Sequence, residues 1–185
     1  QPAMVMSWEN ENLDVELEVL AQHVRSIARC GSLGLVVGSA EPGIVYKQGK
    51  EVPDALSLFD TEHNEVTSLA CDGDYVYAAG ATGAENLSSS KGGGASVGRK
   101  RGKSSEIRSQ LFRIDNSGAA EVLAGSNDEI VFDILQASDD ELWVATGAME
   151  SGTPFGRIYS VGRIDRKVSM IAQSKSRILT SFIEV

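Results

Sequence analysis

Val66-Thr-Ser-Leu-Ala-Cys-Asp-Gly-Asp-Tyr-Val-Tyr-Ala-Ala-Gly80 decides how the rest of the chain is read. A short apolar strand enters a turn at Asp72-Gly73-Asp74, and a second apolar strand leaves it and ends in small residues. Asp suits such a turn because it bonds its own backbone, and Gly because it takes positive φ at no steric cost. The pattern returns at Phe132-Asp-Ile-Leu-Gln-Ala-Ser-Asp-Asp-Glu-Leu-Trp-Val-Ala-Thr-Gly147. It stands once more at Val24-Arg-Ser-Ile-Ala28, with a turn through Gly31-Ser32 into Leu35-Val-Val-Gly-Ser39. Each unit continues into a third strand: Gly43-Ile-Val-Tyr-Lys47, Gln110-Leu-Phe-Arg-Ile-Asp115 and Gly156-Arg-Ile-Tyr-Ser160. A fourth follows in each: Ala55-Leu-Ser-Leu-Phe59, Ala120-Glu-Val-Leu-Ala124 and Lys167-Val-Ser-Met-Ile-Ala172.

The units repeat in register. Ser26, Ser68, Asp133 and Ser181 hold one place, each followed by an apolar residue, and lie 42, 65 and 48 residues apart. The long step shortens to about 42 if the Gly/Ser/Lys/Arg stretch at 84–106 is an insertion. Four strands every 40–50 residues, without a helix, is the signature of β-propeller blades. The expected fold is all-β, a partial β-propeller of about three and a half four-stranded blades. It is divided into a tail at 1–12, an outer strand at 13–22, blades at 24–60, 66–125 and 131–173, and an inner strand at 178–185. Leu13, Leu17, Leu20, Val24 and Ile27 also fall at helical spacing. A helix would leave Val15 and Val19 on its polar side, whereas strict alternation over 13–20 suits a half-buried strand.

The inner strand pairs at 66–80 and 132–147 resemble those of the NHL-like and sensor-type propeller group. The three tails ending at Lys47, Asp115 and Ser160 resemble its third strands. The resemblance covers residues 13–185. It lacks the Gly-His and Trp-Asp signatures of WD40 repeats and the kelch double glycine. It implies a scaffold for protein binding or ligand sensing, and in some members for lactone or ester hydrolysis. Three and a half blades leave a ring open, with apolar sheet faces at both ends. The expectation is a fragment of a longer propeller, or a half ring whose homodimer completes seven blades.

The chain has 185 residues and a formal net charge of −9, from 26 acidic and 17 basic side chains. That charge argues against a general nucleic-acid or anionic-membrane binder. It divides unevenly, because residues 84–108 carry +4 and the remainder −13. The insertion has almost no large apolar residue and is expected to be a mobile basic loop. Arg99, Lys100, Arg101 and Lys103 are its candidate contacts for an acidic partner. Without interleaved aromatics they do not form a base-stacking surface. Nucleic acid is expected to bind, if at all, through this loop. A second loop, Ala148 to Phe155, falls on the same face.

Chemistry is sparse elsewhere. His23 and His63 are not at metal spacing from each other or from a Cys. His63, inside Asp60-Thr-Glu-His-Asn-Glu65, reads as a solvated surface residue. Asp133 replaces a serine at the inner-strand position. It is a candidate cation or polar-ligand contact at the channel mouth, or else a side chain bonded to a neighbouring blade. Cys30 and Cys71 end adjacent innermost strands, where blades are expected to splay beyond disulfide range. Two free thiols would favour a reducing, cytoplasmic setting, with a mature periplasmic or secreted chain, its signal already removed, as the alternative. No catalytic constellation, metal motif or cofactor motif is visible. The leading expectation is a non-enzymatic module presenting the loops of one face to a protein or a small ligand. The alternatives are part of a metal-dependent hydrolase or lactonase with Asp133 as one ligand, and a sensor module of a larger receptor.

Overall fold

The computed structural model describes residues 2–49, 51–84, 107–150, 153–174 and 178–182. Twelve strands are described: β1 (Ala3–Glu9), β2 (Asn12–Val19), β3 (His23–Cys30), β4 (Gly34–Gln48), β5 (Ala55–Asp72), β6 (Tyr75–Thr82), β7 (Arg108–Asp115), β8 (Ala120–Ser126), β9 (Ile130–Ser138), β10 (Glu141–Glu150), β11 (Thr153–Gly162) and β12 (Val168–Ser174). They build an all-β, open propeller arrangement. Among the described residues no helix is long and apolar enough to cross a membrane.

Three four-stranded units follow one another, and each runs antiparallel from an inner to an outer strand. The first holds β3, the two halves of β4, and the start of β5. The second holds the end of β5, then β6, β7 and β8. The third holds β9 to β12. β5 is 18 residues long because it leaves the outer edge of the first unit and becomes the inner strand of the second. That continuity joins β3 to β8 into one six-stranded sheet. Register repeats as well as sequence. Ser26 pairs with Gly38, Ser68 with Ala79 and Asp133 with Ala145, each beside a β-bulge. Bulges increase local twist, which turns successive sheets around a common axis.

Alternation within the strands creates the layers between units. The first interface buries Val36, Val45, Leu58, Val66, Val76, Phe112 and Ile114. The second buries Tyr77, Leu111, Leu123, Val131, Ile134, Leu142, Val144 and Val161. The backbones of the inner strands come close. A Cβ on Gly38 would stand 2.5 Å from Val66 Cγ1 of the next unit, so only glycine fits there.

Four expectations change. Residues 3–9, expected within a tail, form β1, which pairs with β2 from Ala3↔Val19 to Glu9↔Asn12. The pairing lets Leu17, Val19, Ala3 and Val5 pack on Leu35, Val37 and Tyr46 of the first unit. Ala148 to Phe155, expected as a loop, continues β10 and β11, with Ala148 opposite Phe155. Both are buried, which accounts for the extension. Cys30 and Cys71, expected as free thiols, form a disulfide with Cα atoms 5.3 Å apart. The inner strands converge rather than splay at this point, because the turns at Gly31 and Gly73 of adjacent units meet. His63, expected on the surface, is 4% exposed. Two paired strands, where one was expected, thus precede the first unit.

Candidate functional site

In every unit the inner strand starts, and the second and third strands meet, on one face. The connections 20–22, 61–64 and 127–129 arrive there, and Glu41-Pro42 turns there. The segment 85–106 leaves and returns on this face, and it lies outside the described residues. Arg99, Lys100, Arg101 and Lys103 belong to that segment, so the structure places none of them. The chain on either side of it is anchored: Ala84 and Ile107 pack on buried Ala81 and Ile130, with Phe132 and Ile178.

A cleft of about 600 Å³ opens on the same face between the inner strands. His23 and Arg25 of β3, Glu41, Asn64, Glu65 and Thr67 of β5, Ala84 and Phe132 line it, so all three units contribute. Arg25 Nε lies 3.1 Å from Glu65 Oε2, an ion pair joining the first unit to the second. The Thr67 hydroxyl donates to Val131 O at 2.6 Å, joining the second unit to the third. The cleft therefore joins one aromatic side chain, Phe132, to the charged Arg25, Glu41 and Glu65.

Asp133 lies on the same inner strands and bonds across them. Its Oδ1 accepts from Ser68 Oγ at 3.0 Å and from Ile134 N at 2.9 Å. Its Oδ2 accepts from Phe182 N at 2.7 Å. Ser26, at the equivalent place, donates to Val66 O at 3.1 Å. The position that phases the repeat is thus a row of bonds between blades. Among the described residues no group of three or more His, Cys, Asp or Glu side chains could hold a metal ion.

Two further polar clusters are buried behind this face. His63 Nε2 lies 3.0 Å from Gln110 Oε1, and Nδ1 lies 3.1 Å from Thr82 Oγ1. An amide oxygen only accepts, so Nε2 carries a proton, and in the neutral ring Nδ1 accepts from the threonine hydroxyl. Burial pushes the His63 pKa below the usual imidazole value, while the Gln110 bond opposes the shift. In the third unit Glu129 is 4% exposed. It accepts from Thr146 Oγ1, from the Arg157 guanidinium, and from Tyr159 Oη at 2.9 Å. Arg157 also stacks over Phe155 at 4.3 Å. Burial and the neighbouring Glu129 raise the Tyr159 pKa, so the phenol stays a donor. Neither His63 nor Glu129 stood out as a partnered group from sequence. The only signal was register: Gln110 and Arg157 hold equivalent places opposite Gly80 and Thr146.

No protein-family model and no curated protein matches the chain. Among solved structures it is similar to a chain of the "Crystal structure of Nidogen/Laminin Complex", with a TM-score of 0.59 and 9% identity. The match covers 94% of this chain and 59% of that one, so the present chain spans about three fifths of the solved chain's length. At that identity the likeness concerns fold alone, and the fold is that of a β-propeller.

Proposed function

We propose that this chain is a non-enzymatic binding module and that its contact face is the one carrying the cleft and the 85–106 segment. The observation that carries the reading is the shared cleft. Two successive units bring His23, Arg25, Glu41, Asn64 and Glu65 to one rim, the third adds Phe132, and the anchors of the basic segment, Ala84 and Ile107, stand beside it. Such a rim is suited to recognition because rigid sheets hold it while connections vary. Arg99, Lys100, Arg101 and Lys103 would reach an acidic surface of a protein partner from this rim. Asp133 would then serve the face indirectly, by holding the inner strands in place. The similar solved structure is titled as a complex between proteins, which supports a protein partner. Kinship with the NHL-like and sensor-type propellers belongs to the same reading.

The test compares partner retention by the immobilised chain, by a variant lacking residues 86–105, and by Arg25→Glu. Loss of the same partner in both variants is expected. An unchanged set of bound proteins in both sinks the assignment of this face.

A further inference from the structure

One difference between the interfaces of successive units lies at the place of Phe59. Phe59 lies opposite Val45, and Ala124 lies opposite Leu111, each immediately before a bulge at the same place in its sheet. The two residues are therefore equivalent. On the facing unit, Phe112 lies opposite Ala78 and Tyr159 opposite Val144, which again correspond. In the first interface the rings of Phe59 and Phe112 stand 5.1 Å apart at 59°. In the second the facing aromatic is present as Tyr159, and Ala124 stands where Phe59 would.

The space is left open. A cleft of about 350 Å³ lies there, walled by Leu111, Ala124, Val131, Val144, Tyr159 and Val161. Pockets for small ligands begin at roughly this size, and a dry apolar cavity that lacks one large side chain accepts a free aromatic ring. An occupant would meet Tyr159 as Phe59 meets Phe112, in a tilted pair. The charged groups lining the cleft are Asp128 and Glu129, both acidic. Glu129 is already bonded to Thr146, Arg157 and Tyr159. Asp128 is exposed and accepts one bond from Ser126 Oγ at 2.7 Å. A ring seated at Ala124 with a protonated amine at this end matches the walls in shape and the rim in charge.

We infer that the groove between the second and third units binds a small monocyclic aromatic amine, whose ring takes the place that Phe59 fills one interface earlier. The experiment titrates the whole chain with benzylamine, by calorimetry and ligand-observed NMR, beside benzoate and benzyl alcohol. A Kd on the order of 1 mM is expected for benzylamine, within reach of so few heavy atoms. Benzoate is expected to bind at least tenfold more weakly. Ala124→Phe restores the plug and is expected to weaken benzylamine at least tenfold while keeping the melting temperature. Asp128→Asn is expected to weaken benzylamine and leave benzyl alcohol unchanged. If Ala124→Phe does not fold, Ala124→Leu is read in its place as a partial plug, with the same direction of change. No saturation by benzylamine, equal affinity for benzoate, or affinity unchanged by the plug overturns the assignment.

Discussion

Replacing Glu129 by Ala tests whether the third unit depends on its buried carboxylate. The residue is 4% exposed, and its two oxygens take bonds from Thr146, Arg157 and Tyr159. Removing it leaves the Tyr159 hydroxyl and the Arg157 guanidinium without this acceptor, and the Thr146 hydroxyl with only its 3.3 Å bond to Arg157 O. Breaking a buried ion pair by deleting one partner costs about 3–5 kcal/mol. The Arg157 side chain is 24% exposed and can recover some hydration, so the low end, about 3 kcal/mol, is the expected loss. For a chain of this size that corresponds to a fall in Tm of roughly 6–12 °C. Urea unfolding followed by circular dichroism measures it, with an unchanged m-value showing that the folded state kept its compactness. The double variant Glu129→Ala with Arg157→Met removes the stranded charge and is expected to recover at least about 1 kcal/mol, which the double-mutant cycle isolates. A loss below about 0.5 kcal/mol, the range of ordinary surface changes, refutes the reasoning. So does a cycle with no coupling.

Two other outcomes follow from named groups. Cys30 and Cys71 close a loop of 41 residues between adjacent units, so reduction is expected to cost up to about 4 kcal/mol by loss of the constraint on the unfolded chain. Non-reducing peptide mapping should recover one cross-linked pair, and two alkylated thiols in the native, unreduced protein would contradict it. The His63 pKa is lowered by folding, so below about pH 6.5 the unfolded chain binds a proton that the folded chain does not. Stability is therefore expected to fall as pH drops through that value. His63→Gln should flatten the slope of Tm against pH between 7.5 and 5, and an unchanged slope counts against a buried neutral ring.

The propeller was legible because its evidence is periodic. Strand alternation, turn residues and the Ser26, Ser68 and Asp133 phasing each repeat, and repetition separates a blade from a chance apolar run. What escaped depends on distances between units, which no single segment encodes. Ala3 to Trp8 mixes apolar residues on both faces, and its inward set becomes visible only against β2. The Cys30–Cys71 approach is decided by how inner strands converge. His63 sits among Asp60, Glu62, Asn64 and Glu65, so composition marks it as solvated, yet β5 runs unbroken through it and turns its ring inward.

His63 and Glu129 also explain why sites of this kind resist detection by repeat comparison. Both enter from the connection before an inner strand, and both reach the second and third strands of their own unit. One does so as a neutral imidazole between Thr82 and Gln110. The other does so as a carboxylate between Thr146 and Arg157. Buried donors and acceptors must match, so the Glu129 carboxylate is met by a cation at the place where the His63 Nε2–H is met by an amide oxygen. Exchanging Gln110 for Arg in the second unit would bury a charge beside a ring that burial keeps neutral, and exchanging Arg157 for Gln in the third would strand Glu129. The two clusters are therefore constrained within each unit and free to diverge between units, so the common fold is legible in the repeat while the chemistry of each blade is legible only in its own contacts.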